Sequence, residues 1–214
     1  MVITFICLSW LGRSIDAISL IHKSRNEILI PSTTYLRRMQ PVLFIDRDGT
    51  IIQETEDEKI ETIEKLDFLP EALYYLKKIK EEFDYLFVMV TNQDGLGTTA
   101  FPDHEFWPVH NFIMRLLDSE GIHFDAVHID EHFEKDNHPN RKPGTGMLKE
   151  YMDGSYDLTN SFVIGDRATD VQLAENLGCK AIYLSSAYSD TETPAELKPQ
   201  GWEEIYNFLR SKKN

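Results

Sequence analysis

The chain has 214 residues, 42% of them hydrophobic and 11% aromatic, enough for one well-filled domain with appendages and short for two. Thirty-six acidic against 22 basic side chains give a net charge of −14, which argues against nucleic acid or an anionic membrane as a partner held by bulk charge. Cys7 and Cys179 are the only cysteines and imply no disulfide framework, so a reducing, cytoplasmic setting is expected.

Residues 1–39 differ in character from the rest of the chain. Val2 to Leu11 is apolar but too short to span a bilayer, and it lacks the basic start and small-residue cleavage pattern of a secretory signal. Val2–Leu20 has the makings of a marginal helix. Arg13, Lys23, Arg25, Arg37 and Arg38 make the segment basic in an acidic chain. The compact domain is therefore expected over 40–210, with 1–39 an extension outside the core and 211–214 a solvated tail.

Val42-Leu43-Phe44-Ile45 is an apolar run of β-formers, the pattern of a buried strand in a parallel sheet. It breaks into Asp46, Asp48 and Gly49. Two carboxylates at the end of a buried strand are expensive to desolvate without a positive partner, and ligand sites of open α/β sheets lie at that edge. A hard divalent cation, Mg²⁺, is the economical partner, with room left for a phosphate; the plain alternative is a solvated acidic turn.

Gln53 to Asp67 reads as a polar loop. A helix is expected to start at Leu69-Pro70-Glu71, with Leu69, Ala72, Leu73, Leu76 and Ile79 on its inner face. Tyr85 to Val90 is a second strand ending at Thr91-Asn92-Gln93, so the first three elements make a right-handed βαβ unit and bring Thr91 to the edge that carries Asp46. A glycine-bearing loop, 93–98, leads to a helix from Asp103 with Phe106, Val109, Ile113, Leu116 and Leu117 inward, stopped by Gly121. Further strands are expected at Phe124–Ile129, Ser161–Ile164 and Ala181–Leu184. Helices are expected at Thr145–Met152, after Thr169 as cap, and at Trp202–Leu209. The fold class is α/β: a doubly wound, Rossmann-like parallel sheet.

Three strands thus end in polar residues at one edge: Asp46/Asp48, Thr91/Asn92 and Asp166/Asp170. Before the last of them comes Arg141-Lys142-Pro143. An acid that can attack, a metal, a hydroxyl donor and an ammonium together suit phosphoryl transfer.

This pattern resembles the haloacid dehalogenase (HAD) superfamily of phosphatases over roughly Val42 to Ser185. Asp46-x-Asp48-Gly49-Thr50 is similar to its first motif, Thr91 to the second, Lys142 to the third, and Gly165-Asp166-x-x-x-Asp170 to the fourth. The resemblance implies Asp46 as nucleophile and Asp48 as general acid and base. It implies Mg²⁺ held by Asp46, the Asp48 backbone carbonyl and Asp166, with Asp170 behind them and Thr91, Asn92 and Lys142 on the phosphate. Asp46 and Thr91 are 45 positions apart, and Thr91 and Lys142 are 51 apart; the expected elements fill both gaps, so the domain should be capless.

The loops Phe44–Thr50, Thr91–Thr98 and Val163–Asp170 closely resemble the N-terminal histidinol-phosphatase domain of bifunctional histidine-biosynthesis enzymes. That resemblance implies hydrolysis of the small phosphomonoester L-histidinol phosphate. In those enzymes an imidazoleglycerol-phosphate dehydratase domain follows, and this sequence ends before one. A heptose-bisphosphate phosphatase and a non-catalytic phosphate-binding module are the competing readings; the intact Asp48 argues against the second. The family also carries a zinc loop of three Cys and one His. The aligned positions here are Asp130, His132, His138 and Asn140, so Zn²⁺ would be held without thiolates, more weakly and with pH sensitivity. His110, His123 and His128 read as structural or surface residues. Phe101, Phe106 and Trp107 read as core with one potential substrate contact, and Arg167 has no assigned role.

Overall fold

A computed structural model of the chain describes residues 39–56 and 58–213. The extension up to residue 38, with its expected helix, lies outside the described residues. Among the described residues five parallel strands are ordered β3-β2-β1-β4-β5: β1 Val42–Ile45, β2 Leu86–Asn92, β3 Ala126–Asp130, β4 Phe162–Gly165 and β5 Lys180–Tyr183. The helices are α1 Ala72–Glu82, α2 Asp103–Ser119, α3 Ala168–Leu177 and α4 Trp202–Lys212. Among the described residues no helix is long and apolar enough to cross a membrane.

Alternation along the strands divides the core in two. Leu43, Ile45, Phe87, Met89, Phe162 and Ile164 face α1, α2 and α4, whereas Val42, Phe44, Val88, Val90 and Val163 face α3 and the 3₁₀ segment Gly146–Met152. Both faces of the sheet are therefore covered, which is why β1 is apolar at every position.

Several boundaries differ from the pattern in the sequence. Helix α1 begins at Ala72, because Glu71 takes a left-handed backbone at φ +62° and leaves Leu69 and Pro70 outside the helix, where the Leu69 N–H donates to the Ile51 carbonyl at 3.0 Å. Strand β2 runs to Asn92, since Thr91 and Asn92 pair with Ile129 and Asp130 of β3. The expected helix over 145–152 is a 3₁₀ segment. In α2 the buried stripe is Phe106, Val109, His110, Ile113 and Leu117, so His110 takes the place expected for Leu116. Thr169 lies inside α3; the cap is made by the Asp170 carboxylate, which accepts the Arg167 N–H at 3.1 Å. Helix α4 continues past Leu209 to Lys212, into the stretch read as a tail.

Candidate active site

The carboxyl ends of β1, β2 and β4 meet where the chain winds off to either side of β1, the place at which open α/β sheets leave a crevice. Asp46 leaves β1 with its N–H on the Ile164 carbonyl at 2.9 Å, which pins it to β4. Lys142 Nζ sits 2.7 Å from Asp46 Oδ1 and 2.8 Å from Asp170 Oδ1, and all three side chains are buried. Asp166 completes the group, fully buried, and neither of its carboxylate oxygens meets a hydrogen-bond donor.

The cluster is short of positive charge. Burial above all pushes Asp46 well above the usual carboxylate range, against the pull of Lys142 and with Asp170, Asp166 and Asp48 adding to the rise. Burial pushes Asp166 up to about 6, with the Ser186 hydroxyl pulling the other way from outside hydrogen-bond geometry. Burial alone would lower Lys142, but the Asp170 and Asp46 carboxylates outweigh it and hold the ammonium charged. Asp46, Asp166 and Asp170 each present an oxygen within 4.8 Å of the others. An all-oxygen, partly unpartnered set of this kind suits a hard divalent cation such as Mg²⁺.

Asp48 lies apart from those three. Its carboxylate is gripped by the Arg47 guanidinium at 2.8 Å and by Gln93 Nε2 at 2.7 Å. Arg47 is almost fully buried, its charge met by Asp48, Gln93 and the face of Phe106, 5.0 Å away. Thr91 Oγ1 receives the other Gln93 Nε2 hydrogen at 2.9 Å. Asn92, expected on the phosphate, lines the same cleft, and its side chain is engaged with Lys142. Its Oδ1 accepts the Lys142 N–H at 3.0 Å and its Nδ2 donates to the Lys142 carbonyl at 3.3 Å, so the amide holds the lysine's backbone.

These groups line a cleft of about 500 Å³. Glu54, Glu58, Arg167 and Tyr188 form one wall, with Arg167 Nη2 at 2.9 Å from Glu54 and 3.1 Å from Glu58 and its guanidinium 4.4 Å from the Tyr188 ring. Burial pushes Glu54 up to about 7 despite its bonds to Arg167. Across the cleft Arg141 pairs with Asp94, beside Glu134. Phe101 also lines the cleft, while Phe106 is buried beneath Arg47 and Trp107 is exposed on α2.

Arg47, Gln93, Glu54, Glu58 and Tyr188 do not stand out as site residues in the sequence. For Gln93 a signal existed: it stands two residues after Thr91 at the end of a strand, on the same face.

Asp130, His132 and His138 do come together, with donor atoms within 4.8 Å of one another. His132 Nδ1 is 2.9 Å from the buried Asp130 carboxylate, and the two imidazoles stack with centroids 3.5 Å apart. The set has no thiolate, and its carboxylate is already engaged by an imidazole, which fits a structural zinc poorly.

A family model described as HAD-hydrolase-like matches residues 139–202. The histidine biosynthesis bifunctional protein HisB of Spirosoma linguale is 50% identical over 187 residues, covering 80% of this chain and 49% of that protein. HisB of Bacteroides fragilis is 47% identical over 175 residues, covering 78% and 47%. The chain thus spans about half the length of the curated relatives it matches. Among solved structures, the D,D-heptose 1,7-bisphosphate phosphatase of B. bronchiseptica, complexed with magnesium and phosphate, superposes with a TM-score of 0.71 at 23% identity, covering 81% of this chain and 99% of that one. A Mesorhizobium loti protein described as a HAD-like phosphatase superposes at 0.67 with 26% identity, covering 81% and 86%. A doubly wound parallel sheet with carboxylates and a lysine at its carboxyl edge defines an α/β protein with a site for a cation and a phosphate at its switch point. The chain belongs to the haloacid dehalogenase-like superfamily of hydrolases.

Proposed function

We propose that this chain is a Mg²⁺-dependent phosphatase that hydrolyses L-histidinol phosphate to L-histidinol and phosphate through an aspartyl-phosphate on Asp46. The observation that carries the reading is the buried Asp46–Lys142–Asp170 bridge, with the unpartnered Asp166 carboxylate beside it, opening on a cleft walled by carboxylates. The curated relatives, named as histidine biosynthesis proteins, support the substrate.

Asp46 and Asp166 would hold the cation, with the Asp48 backbone carbonyl as the third ligand and Asp170 close behind. Bound there, it would offset the excess negative charge and polarise the phosphoryl group. Asp46 attacks phosphorus, and the P–O bond to the alcohol breaks as Asp48, which takes up a proton as the substrate binds and so loosens its pair with Arg47, delivers that proton to the leaving oxygen. Asp48, now ionised, takes a proton from water; the water oxygen attacks phosphorus and returns Asp46 as a carboxylate with phosphate released. Lys142 keeps an ammonium beside the phosphoryl oxygens, and Thr91 donates its hydroxyl hydrogen to one of them. The carboxylates of the cleft wall suit a substrate that carries an amine beside its phosphate.

The test is phosphate release with Mg²⁺ from histidinol phosphate, a heptose bisphosphate and p-nitrophenyl phosphate in parallel. A strong preference for histidinol phosphate is expected. Equal, slow turnover of all three would remove the substrate assignment, and full activity in Asp46→Asn would remove the covalent mechanism.

A further inference from the structure

Hydrogen-bond polarity runs in one direction through Arg47, Gln93 and Thr91. A guanidinium can only donate, so the Gln93 atom 3.0 Å from Arg47 Nη2 is the carbonyl Oε1. That fixes the amide: Nε2 points the other way, and its two hydrogens go to Asp48 Oδ2 at 2.7 Å and Thr91 Oγ1 at 2.9 Å. Thr91 Oγ1 is therefore an acceptor toward Gln93. Its own hydrogen is released to point elsewhere, and Thr91 lines the cleft.

We infer that Gln93 is a positioning residue that makes Thr91 a hydrogen-bond donor to the substrate's phosphoryl oxygen and, with the same nitrogen, ties that donor to the Asp48 carboxylate. This rests on the phosphate-site reading above. Gln93 touches no reacting atom; it acts through its two neighbours. The arrangement is buried, with Gln93 4% and Thr91 1% exposed, so water is a poor substitute for the missing bond. A glutamate at 93 would have the shape of glutamine with the polarity reversed. It would accept the Thr91 hydrogen, withdrawing it from the phosphate, and would set a second carboxylate against Asp48. A methionine at 93 would keep much of the shape and neither bond, leaving Thr91 free to turn.

The test compares Gln93→Glu, Gln93→Met and Thr91→Val, each alone, and Gln93→Glu/Thr91→Val together. Readouts are kcat and KM on p-nitrophenyl phosphate, the Kd for inorganic phosphate in Mg²⁺ buffer by calorimetry, and Tm as a check on folding. Losing one oriented donor should lower kcat/KM about 100-fold in Gln93→Glu and weaken phosphate binding in parallel, with a loss of about tenfold in Gln93→Met. The double variant should lose much less than the product of the two single losses. Gln93→Met falling as far as Gln93→Glu, or losses that multiply in the double variant, would overturn the proposal and leave Gln93 a packing residue. A wild type that binds phosphate but hydrolyses no ester would sink the phosphatase reading alone, and the phosphate Kd series would still decide the polarity. A wild type that binds no phosphate would overturn both.

Discussion

Gly49 and Asp166 occupy the same space but for one hydrogen: a Cβ on Gly49 would lie 2.2 Å from Asp166 Oδ2. Gly49 also has φ +69°, where a side chain is strained whatever the room. Gly49→Ala should cost about 1–2 kcal/mol in backbone strain alone and push Asp166 out of place. Differential scanning fluorimetry checks this: Tm should fall, and Mg²⁺ should no longer raise it.

Lys142 is the ammonium that bridges two buried carboxylates. Lys142→Met leaves Asp46 and Asp170 unpaired, and removing one member of a buried pair costs about 3–5 kcal/mol. Urea unfolding in EDTA should show that loss, with part of it recovered on adding Mg²⁺. No recovery would count against a cation among these carboxylates.

Asp166 links metal removal to pH. Its folded pKa, pushed up to about 6, lies above the ordinary 3.8, so the folded protein prefers it protonated. Stability of the metal-free protein should therefore be higher near pH 4 and decline as pH rises to 6, by about 3 kcal/mol from this group. Asp166→Asn should remove that decline in the difference between the two urea series, and should also remove the stabilisation by Mg²⁺.

His110 acts in the opposite sense. Burial first, and Arg47 second, lower it from 6.5 to about 4, so only the unfolded chain takes up its proton between those values. Its contribution is held above pH 6.5 and lost as pH falls toward 4, again about 3 kcal/mol. A shallower loss for His110→Gln over that window, measured at matched Mg²⁺, is the expected outcome.

Glu54 should set selectivity. Removing its charge in Glu54→Gln should lower the preference for histidinol phosphate over p-nitrophenyl phosphate about tenfold. Because Glu54 titrates at about 7, the wild-type preference should fade below that pH while the variant's stays level. Competition kinetics at pH 6 and 8 reads both.

The strand ends are legible in the sequence because a buried apolar run that breaks into Asp or Thr marks the rim of a sheet where polar groups face a ligand. Asp46, Thr91 and Asp166 come to one edge on that ground, and Lys142 from a loop and Asp170 from the first turn of α3 join them. Asn92 lines the cleft beside Thr91, and its amide also holds the Lys142 peptide, a long-range bond that the sequence does not announce. Thr169 departs from the expectation because a cap can be supplied from inside the first turn, here by Asp170. The Arg167–Glu54 pair spans 113 positions and leaves no local trace.

Lys142 belongs to a loop by sequence and to the sheet by attachment. Asn92 of β2 grips its peptide from one side, and Asn176 of α3 holds the next carbonyl, Pro143, at 2.8 Å. The charge that the carboxylates depend on is thus moored to regular structure on two sides, a strand of the sheet and a helix packed on it.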